Sequence, residues 1–186
     1  MERARARDAD AFELLVEEHL AGIHRIAVAI VGPADAMDVT QDTFVAAWQQ
    51  LPRLRNADAF AGWLRRIGVN AARQWLRRTR RRREWGSLEE NQGPMVDASE
   101  GQRDFRTAVE ARALIEPAIE RLTPDQRAIL ALHYTLGYSI ADAADALDIR
   151  VGTAKSRLNA ALRSLRSAID PAAADGEAEA EIEATS

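Results

Sequence analysis

Apolar side chains in this chain recur every three or four positions and nowhere sustain the every-second-residue alternation of a half-buried strand. Phe12, Leu15, Val16, His19, Leu20, Ile23, Ile26, Ala27 and Ile30 fall on one helical stripe, which Gly32-Pro33 ends. From Asp35 to Gln50 a second helix places Met37, Thr40, Phe44, Ala47 and Trp48 on one face, until Pro52 intervenes. Beyond Ala57 the spacing returns in Phe60, Trp63, Leu64, Ile67, Ala71, Trp75 and Leu76, and this helix runs out into the arginine-rich block Arg77 to Arg83. Such a pattern points to an all-α fold.

The period lapses between Glu84 and Ala108, where Gly86, Gly93, Pro94 and Gly101 interrupt a polar, acidic stretch with the composition of a flexible linker. It resumes at Val109, Ala113, Ile115 and Ile119, and lapses again after Pro171, where alternating Ala and Glu offer no apolar stripe to bury. A chain of 186 residues has room for two small cores. The expected organisation is therefore a helical domain over residues 11–83, an acidic linker over 84–108, a second helical domain over 109–169, and a disordered acidic tail over 170–186.

Charge is sharply segregated along these units. The chain as a whole carries −4. Yet Gln50 to Trp85 holds eleven arginines against Asp58 and Glu84, a net +9, and Ile149 to Ile169 holds five basic residues and no acid. The linker, with six acids against Arg103 and Arg106, and the tail, with six acids and no base, mask both patches in the total. Fields near a surface follow local charge within about 10 Å, so both basic segments remain candidates for binding phosphate. Lys155 is the only lysine. Cysteine is absent, which excludes disulfides, thiolate metal sites and a Cys nucleophile, and suits a reducing cytoplasm. The longest apolar run, Ile26 to Val31, falls far short of the roughly 20 residues of a membrane span. The charged N-terminal stretch has no signal-peptide core, so a cytoplasmic protein without membrane insertion is expected.

Local signals concentrate in the second domain. Thr123-Pro124-Asp125-Gln126 reads as a helix start, with Thr123 as cap, Pro124 in the first turn and Gln126 closing a capping box. Ser139 to Asp142 repeats the logic with Asp in place of Glu or Gln. Ile140, Ala144, Leu147, Ile149, Ala154, Leu158, Leu162 and Leu165 then form one apolar set, broken at Asp148-Ile149-Arg150 by a stretch as long as a tight turn. This is helix-turn-helix spacing. Its second helix offers Arg150, Thr153, Lys155, Ser156, Arg157 and Asn159, cations for phosphates and short polar groups for base edges. An ordinary helical hairpin with a solvated basic face has the same pattern.

Five stretches of the chain resemble a known family. Leu122 to Arg127, Gly137 to Ile140 and Val151 to Leu158 together are similar to region 4 of bacterial RNA polymerase sigma factors of the extracytoplasmic function (ECF) group, which reads the −35 promoter element. Family members usually carry Gly at the position of Asp148, where Asp tolerates a left-handed turn, and Val or Ile at that of Ala154. Asp35 to Trp48 resembles region 2.2, which docks on the clamp helices of the polymerase largest subunit. The resemblance implies polymerase contact through Asp38, Gln41, Asp42 and Val45, although a solvated acidic stripe would show the same spacing. Phe60 to Arg73 resembles regions 2.3 and 2.4, which handle the −10 element. Opening DNA needs cations for the backbone and a pocket for an unstacked base. The resemblance assigns this work to Leu54, Arg55, Asn56, Arg65, Arg66, Asn70, Arg73 and Arg77, with Arg78 also facing phosphate. Trp63 keeps helical spacing with Phe60 and Ile67 and reads as core rather than as a stacking residue, and Arg80 to Arg83 can equally be a nonspecific basic tail.

The implied activity is promoter-directed initiation, with core RNA polymerase and promoter DNA as partners and room for an anti-sigma factor. The alternative is a stand-alone helix-turn-helix regulator. His19, His24 and His133 stand apart from other ligand types, and no nucleophile or phosphate-loop motif occurs, so neither metal, cofactor nor catalysis is expected.

Overall fold

The computed structural model describes residues 1–85 and 115–169, and every described element is helical. A single turn, α1 (Glu2–Arg5), leads into α2 (Ala9–Val31), which starts where the Asp8 carboxylate accepts a hydrogen bond from the Ala11 amide at 3.1 Å. Gly32, at φ 95°, ends α2 and begins α3 (Pro33–Gln50) in one residue, which lets two long helices fold back on each other. Pro52 lies in a 3-10 turn, Leu51–Arg53, and α4 (Phe60–Trp85) follows after an exposed loop. Sequence spacing had α2 ending at Gly32-Pro33 and α3 stopping before Pro52, as found.

Helices α2, α3 and α4 pack around Ile23, Ile26, Ile30, Val39, Phe44, Leu64 and Val69. Thr40 and Thr43 are buried among them because each hydroxyl donates to the carbonyl four residues earlier, Ala36 and Val39, at 2.7 Å. Two residues placed on core stripes by their spacing face outward instead: Leu20 is 44% exposed and Met37 62%. Val39 and Thr43 fill the inward face that Met37 was expected to share. Ala4 is fully buried, so α1 belongs to this bundle as well.

The second half comprises α5 (residues 115–121), α6 (Pro124–Leu130) continuing into a π-turn at Ala131–Thr135, α7 (Ile140–Leu147) and α8 (Val151–Ile169). Ile129, Leu132 and Leu147 are its largest fully buried side chains, and a buried leucine or isoleucine contributes about 1.5–3 kcal/mol. The expected linker beyond Trp85, the helical onset at Val109 and the acidic tail lie outside the described residues.

The two halves also touch. α4 packs against α6 and α7, α2 packs against the π-turn, and the buried apolar side chains run without a break from one half into the other. Their relative placement left no trace in the sequence patterning.

Candidate polymerase and nucleic-acid interfaces

The helix-turn-helix is assembled by the capping chemistry written into the chain. Thr123 Oγ1 accepts from the Gln126 amide at 3.2 Å while the Thr123 amide donates to Gln126 Oε1 at 2.9 Å, with Pro124 in the first turn. Ser139 Oγ accepts from the Asp142 amide at 3.1 Å and donates to its carboxylate at 2.6 Å, which starts α7. Asp148 ends α7 in the left-handed region, φ 54° and ψ 50°, and the Ile149 amide donates back to the Ala144 carbonyl at 3.0 Å. The expected three-residue turn is present. Ala143, Ala144 and Ala146 of α7 and Ala154 and Ala161 of α8 are all buried, so small side chains let the two helices cross closely.

This crossing holds the outer face of α8 clear of the domain. Arg150, in the turn just before α8, and Thr153, Lys155, Ser156 and Asn159 along it are exposed, three cationic or amide groups interleaved with hydroxyls. Arg157, grouped with them by sequence, turns inward instead: its side chain is 22% exposed and Nη2 lies 3.5 Å from Asp125 Oδ2. Its Nη1 is buried and meets no acceptor among the described residues.

On α3, Asp38, Gln41, Asp42 and Val45 are all exposed and follow one surface at three- and four-residue steps. Gln41 and Val45 also line an apolar groove between α2 and α3 whose floor includes Phe12, Val16, Phe44 and Trp48. Leu20 and Met37 form part of its wall, which accounts for their exposure. Sequence spacing found the polar half of this surface and missed the groove. A hydrophobic residue outside the core is the signal that could have revealed it.

Along α4 the basic residues divide. Arg65 is exposed and stands over the Tyr138 ring at 5.9 Å, while Arg78 is simply exposed. Arg66, Asn70, Arg73 and Arg77 share one stripe, and that stripe meets the second half. Arg66 Nε donates to the Asp145 carbonyl at 3.0 Å, and its guanidinium also pairs with the Asp145 carboxylate and lies 3.8 Å from that of Asp148. Arg73 Nη1 donates to Asn70 Oδ1 at 3.0 Å, and its Nε donates to Asp125 Oδ1 at 2.5 Å. Arg77 reaches the same Asp125 oxygen at 3.9 Å. In the loop before α4, Leu54 is half-buried against the core, whereas Arg55 and Asn56 are exposed and Asn56 Oδ1 accepts from the Asp58 amide at 2.9 Å. Trp63 is half-buried against Phe60, ring centroids 5.7 Å apart, as a core residue should be.

The histidines have local partners. His19 lies against Phe60, His24 Nδ1 is 3.3 Å from Thr40 Oγ1, and His133 Nδ1 is 2.8 Å from the Tyr138 carbonyl.

Residues 15–82 match the family model for sigma-70 region 2, and residues 112–165 match that for sigma-70 region 4. The chain is 28% identical over 177 residues to the ECF RNA polymerase sigma-E factor of Haemophilus influenzae, covering 92% of this chain and 94% of that protein. It is 29% identical over 178 residues to the RNA polymerase sigma-H factor of Pseudomonas aeruginosa, covering 92% of each. Among solved structures, CnrH in complex with the cytosolic domain of CnrY aligns with TM-score 0.53 at 25% identity, covering 92% of this chain and 95% of that one. The fold is also that of the sigma factor RpoE bound to the anti-sigma factor NepR from Bartonella quintana, TM-score 0.58 at 23% identity, covering 86% of this chain and 96% of that one. With region 2 and region 4 matched in order on one chain, and a helix-turn-helix where region 4 requires it, this chain belongs to the sigma-70 family of RNA polymerase sigma factors, in its ECF group.

Proposed function

We propose that this chain binds core RNA polymerase and carries it to particular promoters, its first half handling the −10 element and its helix-turn-helix the −35 element. The observation that carries this reading is the presence of both matched regions in one chain, each bearing a cationic surface of its own. A stand-alone helix-turn-helix regulator has no need of region 2, and that match sets the alternative aside.

Within this reading, Asp38, Gln41, Asp42 and Val45 face the clamp helices of the polymerase largest subunit, with the apolar groove beside them adding area that excludes water. Arg150, Thr153, Lys155, Ser156 and Asn159 enter the major groove, and Arg157 joins them once freed from Asp125. Arg55, Asn56, Arg65, Arg66, Asn70, Arg73 and Arg77 hold the backbone and bases of the opened −10 strand, with Leu54 shaping the pocket. Each contact set is modest, and joining them on one chain converts modest affinities into selectivity. The work is recognition, and nucleotide transfer remains with the polymerase. The site of action is the cytoplasm, where the polymerase that region 2 and region 4 would engage does its work. Two solved relatives are held by a second protein, CnrY and NepR, and an anti-sigma partner is proposed for this chain too.

Reconstitution tests the reading: the purified chain is added to core polymerase and genomic DNA, and transcript starts are sequenced. Starts that share −10 and −35 sequences upstream support it. Specific duplex binding without polymerase, together with no factor-dependent starts, refutes it.

A further inference from the structure

We propose that Asp125 is a latch: its carboxylate takes the place of a DNA phosphate on arginines from both DNA-reading surfaces, and so holds the factor in a closed form that cannot span a promoter. The proposal rests on the sigma-factor reading above. Arg73 and Arg77 of α4 and Arg157 of α8 all converge on this one carboxylate. The side chains of Arg73, Arg157 and Asp125 are 14%, 22% and 31% exposed and that of Arg77 is 45%, so the cluster is only partly screened by water. Guanidinium groups bind carboxylate and phosphate through the same fork of donors. An arginine engaged by Asp125 is therefore unavailable to a promoter phosphate, and the two anions compete.

Two further contacts close the same seam. Arg66 is held by the Asp145 carboxylate and carbonyl, and Arg83 Nη1 lies 3.2 Å from Glu120 Oε1. In each case the arginine comes from α4 and the acid from the second half. The names of the promoter elements put them roughly 25 base pairs apart, about 85 Å along a duplex at 3.4 Å per pair. Arg73 and Arg157 meet on a single carboxylate, so the surfaces to which they belong cannot lie that far apart in this form. Closed and promoter-bound forms exclude one another.

The cluster is also unbalanced, with three guanidiniums around one carboxylate and Arg157 Nη1 buried without an acceptor among the described residues. Asp125 restrains these groups without neutralising them. A polyanion or a polymerase surface that engages either half shifts the balance toward opening, since it binds only the form in which the arginines are released.

The chain contains no cysteine, which makes the test direct. Gln49→Cys and Ser167→Cys, both exposed and one in each half, receive spin labels, and the distance distribution is measured in the free full-length protein. Asp125→Asn should raise the ratio of long to short distances about fivefold over the parent, the size expected for a partly screened ion-pair network. It should also raise polymerase-free affinity for duplex DNA. Asp145→Asn, which leaves the first turn of α6 untouched, should do the same to a smaller extent and serves if Asp125→Asn unfolds. Asp142→Asn removes an equal charge from α7 without a partner in the first half and should change neither reading. Distances and duplex affinity unchanged in both Asp125→Asn and Asp145→Asn overturn the latch. So does an equal gain in Asp142→Asn, which would trace the effect to net charge. Run-off transcription with core polymerase separates the two ideas: loss of factor-dependent transcripts in the parent sinks the sigma reading, whereas the distance data judge the latch alone.

Discussion

The turn of the helix-turn-helix offers a stringent test because one residue, Asp148, adopts a conformation that most side chains resist. At φ 54° and ψ 50° a side chain with a Cβ is crowded against the following carbonyl, at about 1–2 kcal/mol for an ordinary L residue and less for Asp or Asn. Asp148→Gly removes that crowding and should stabilise the protein by about 0.5–1 kcal/mol after its greater freedom in the unfolded chain is set against the gain. Asp148→Ala keeps the Cβ, loses the polar side chain that tolerates the left-handed region, and should destabilise by about 1 kcal/mol. Asp148→Asn isolates charge. The carboxylate lies 3.8 Å from Arg66 Nη1, but with 74% of Asp148 and 42% of Arg66 exposed the attraction contributes only a few tenths of a kcal/mol. The unfavourable placement of a negative charge at the C-terminal end of α7 offsets it by a similar amount. The expected order of stability is Gly above Asp, Asn beside Asp, and Ala lowest. In urea, with a slope of about 2 kcal/mol per molar, the Gly and Ala midpoints should stand about 0.7 to 1 M apart at unchanged slope. A series in which Ala equals or exceeds Gly would show that the turn is not left-handed, and the docking of α7 on α8 described above would fall with it.

Other outcomes follow from the surfaces and from one titrating group. Asp42→Arg, on an exposed position of α3, should weaken binding to core polymerase by about tenfold or more while leaving the urea midpoint within error, as read by fluorescence polarisation of labelled factor. Lys155→Ala should lower the slope of log affinity against log salt for −35 duplex by about one without altering sequence preference, whereas Asn159→Ala should blur the preference and leave the slope intact. Asp8 accepts from the Ala11 amide and then from Arg3, and these contacts hold its carboxyl below the ordinary carboxylate value of 3.8. A depressed native value means that the cap's contribution is fully present above about pH 4 and is lost as pH falls through the lower, folded-state value. Amide exchange at the start of α2 should therefore accelerate on acidification below pH 4 in the parent, and be fast and nearly pH-independent in this range, beyond intrinsic exchange, in Asp8→Ala.

The elements were legible wherever a purely local rule decides them. The capping box at Thr123, the turn at Asp148, the break at Gly32-Pro33 and the exposed order Asp38, Gln41, Asp42 and Val45 all depend on residues within a few positions of each other. Period alone could not separate Met37 from Val39, because a helix packed on two sides has a wide apolar arc and one face of α3 borders a groove instead of a core. The π-turn at Ala131–Thr135 left no sign in the sequence: it stores an extra residue in one turn, at a place where His133 can reach the Tyr138 carbonyl. Arg157 was grouped with the exposed face of α8 by spacing that is correct for the helix, but its partner Asp125 lies on another element. The same holds for Arg66 and Asp145, separated by 79 positions. Charge pairing between distant elements depends on how they dock, and nothing local encodes that.

A helix of 26 residues is a rod about 39 Å long, and α4 borders elements of both halves along it. One consequence concerns how such a protein can diverge. On the roles proposed for Arg73, at the −10 strand and on the Asp125 carboxylate, a substitution there alters promoter contact and resting shape in a single step, so that stretch of surface is doubly constrained. Gln74 and Arg78, which point to solvent beside it, are free of the second burden. Lineages that acquire new promoter tastes without becoming permanently active should change there first.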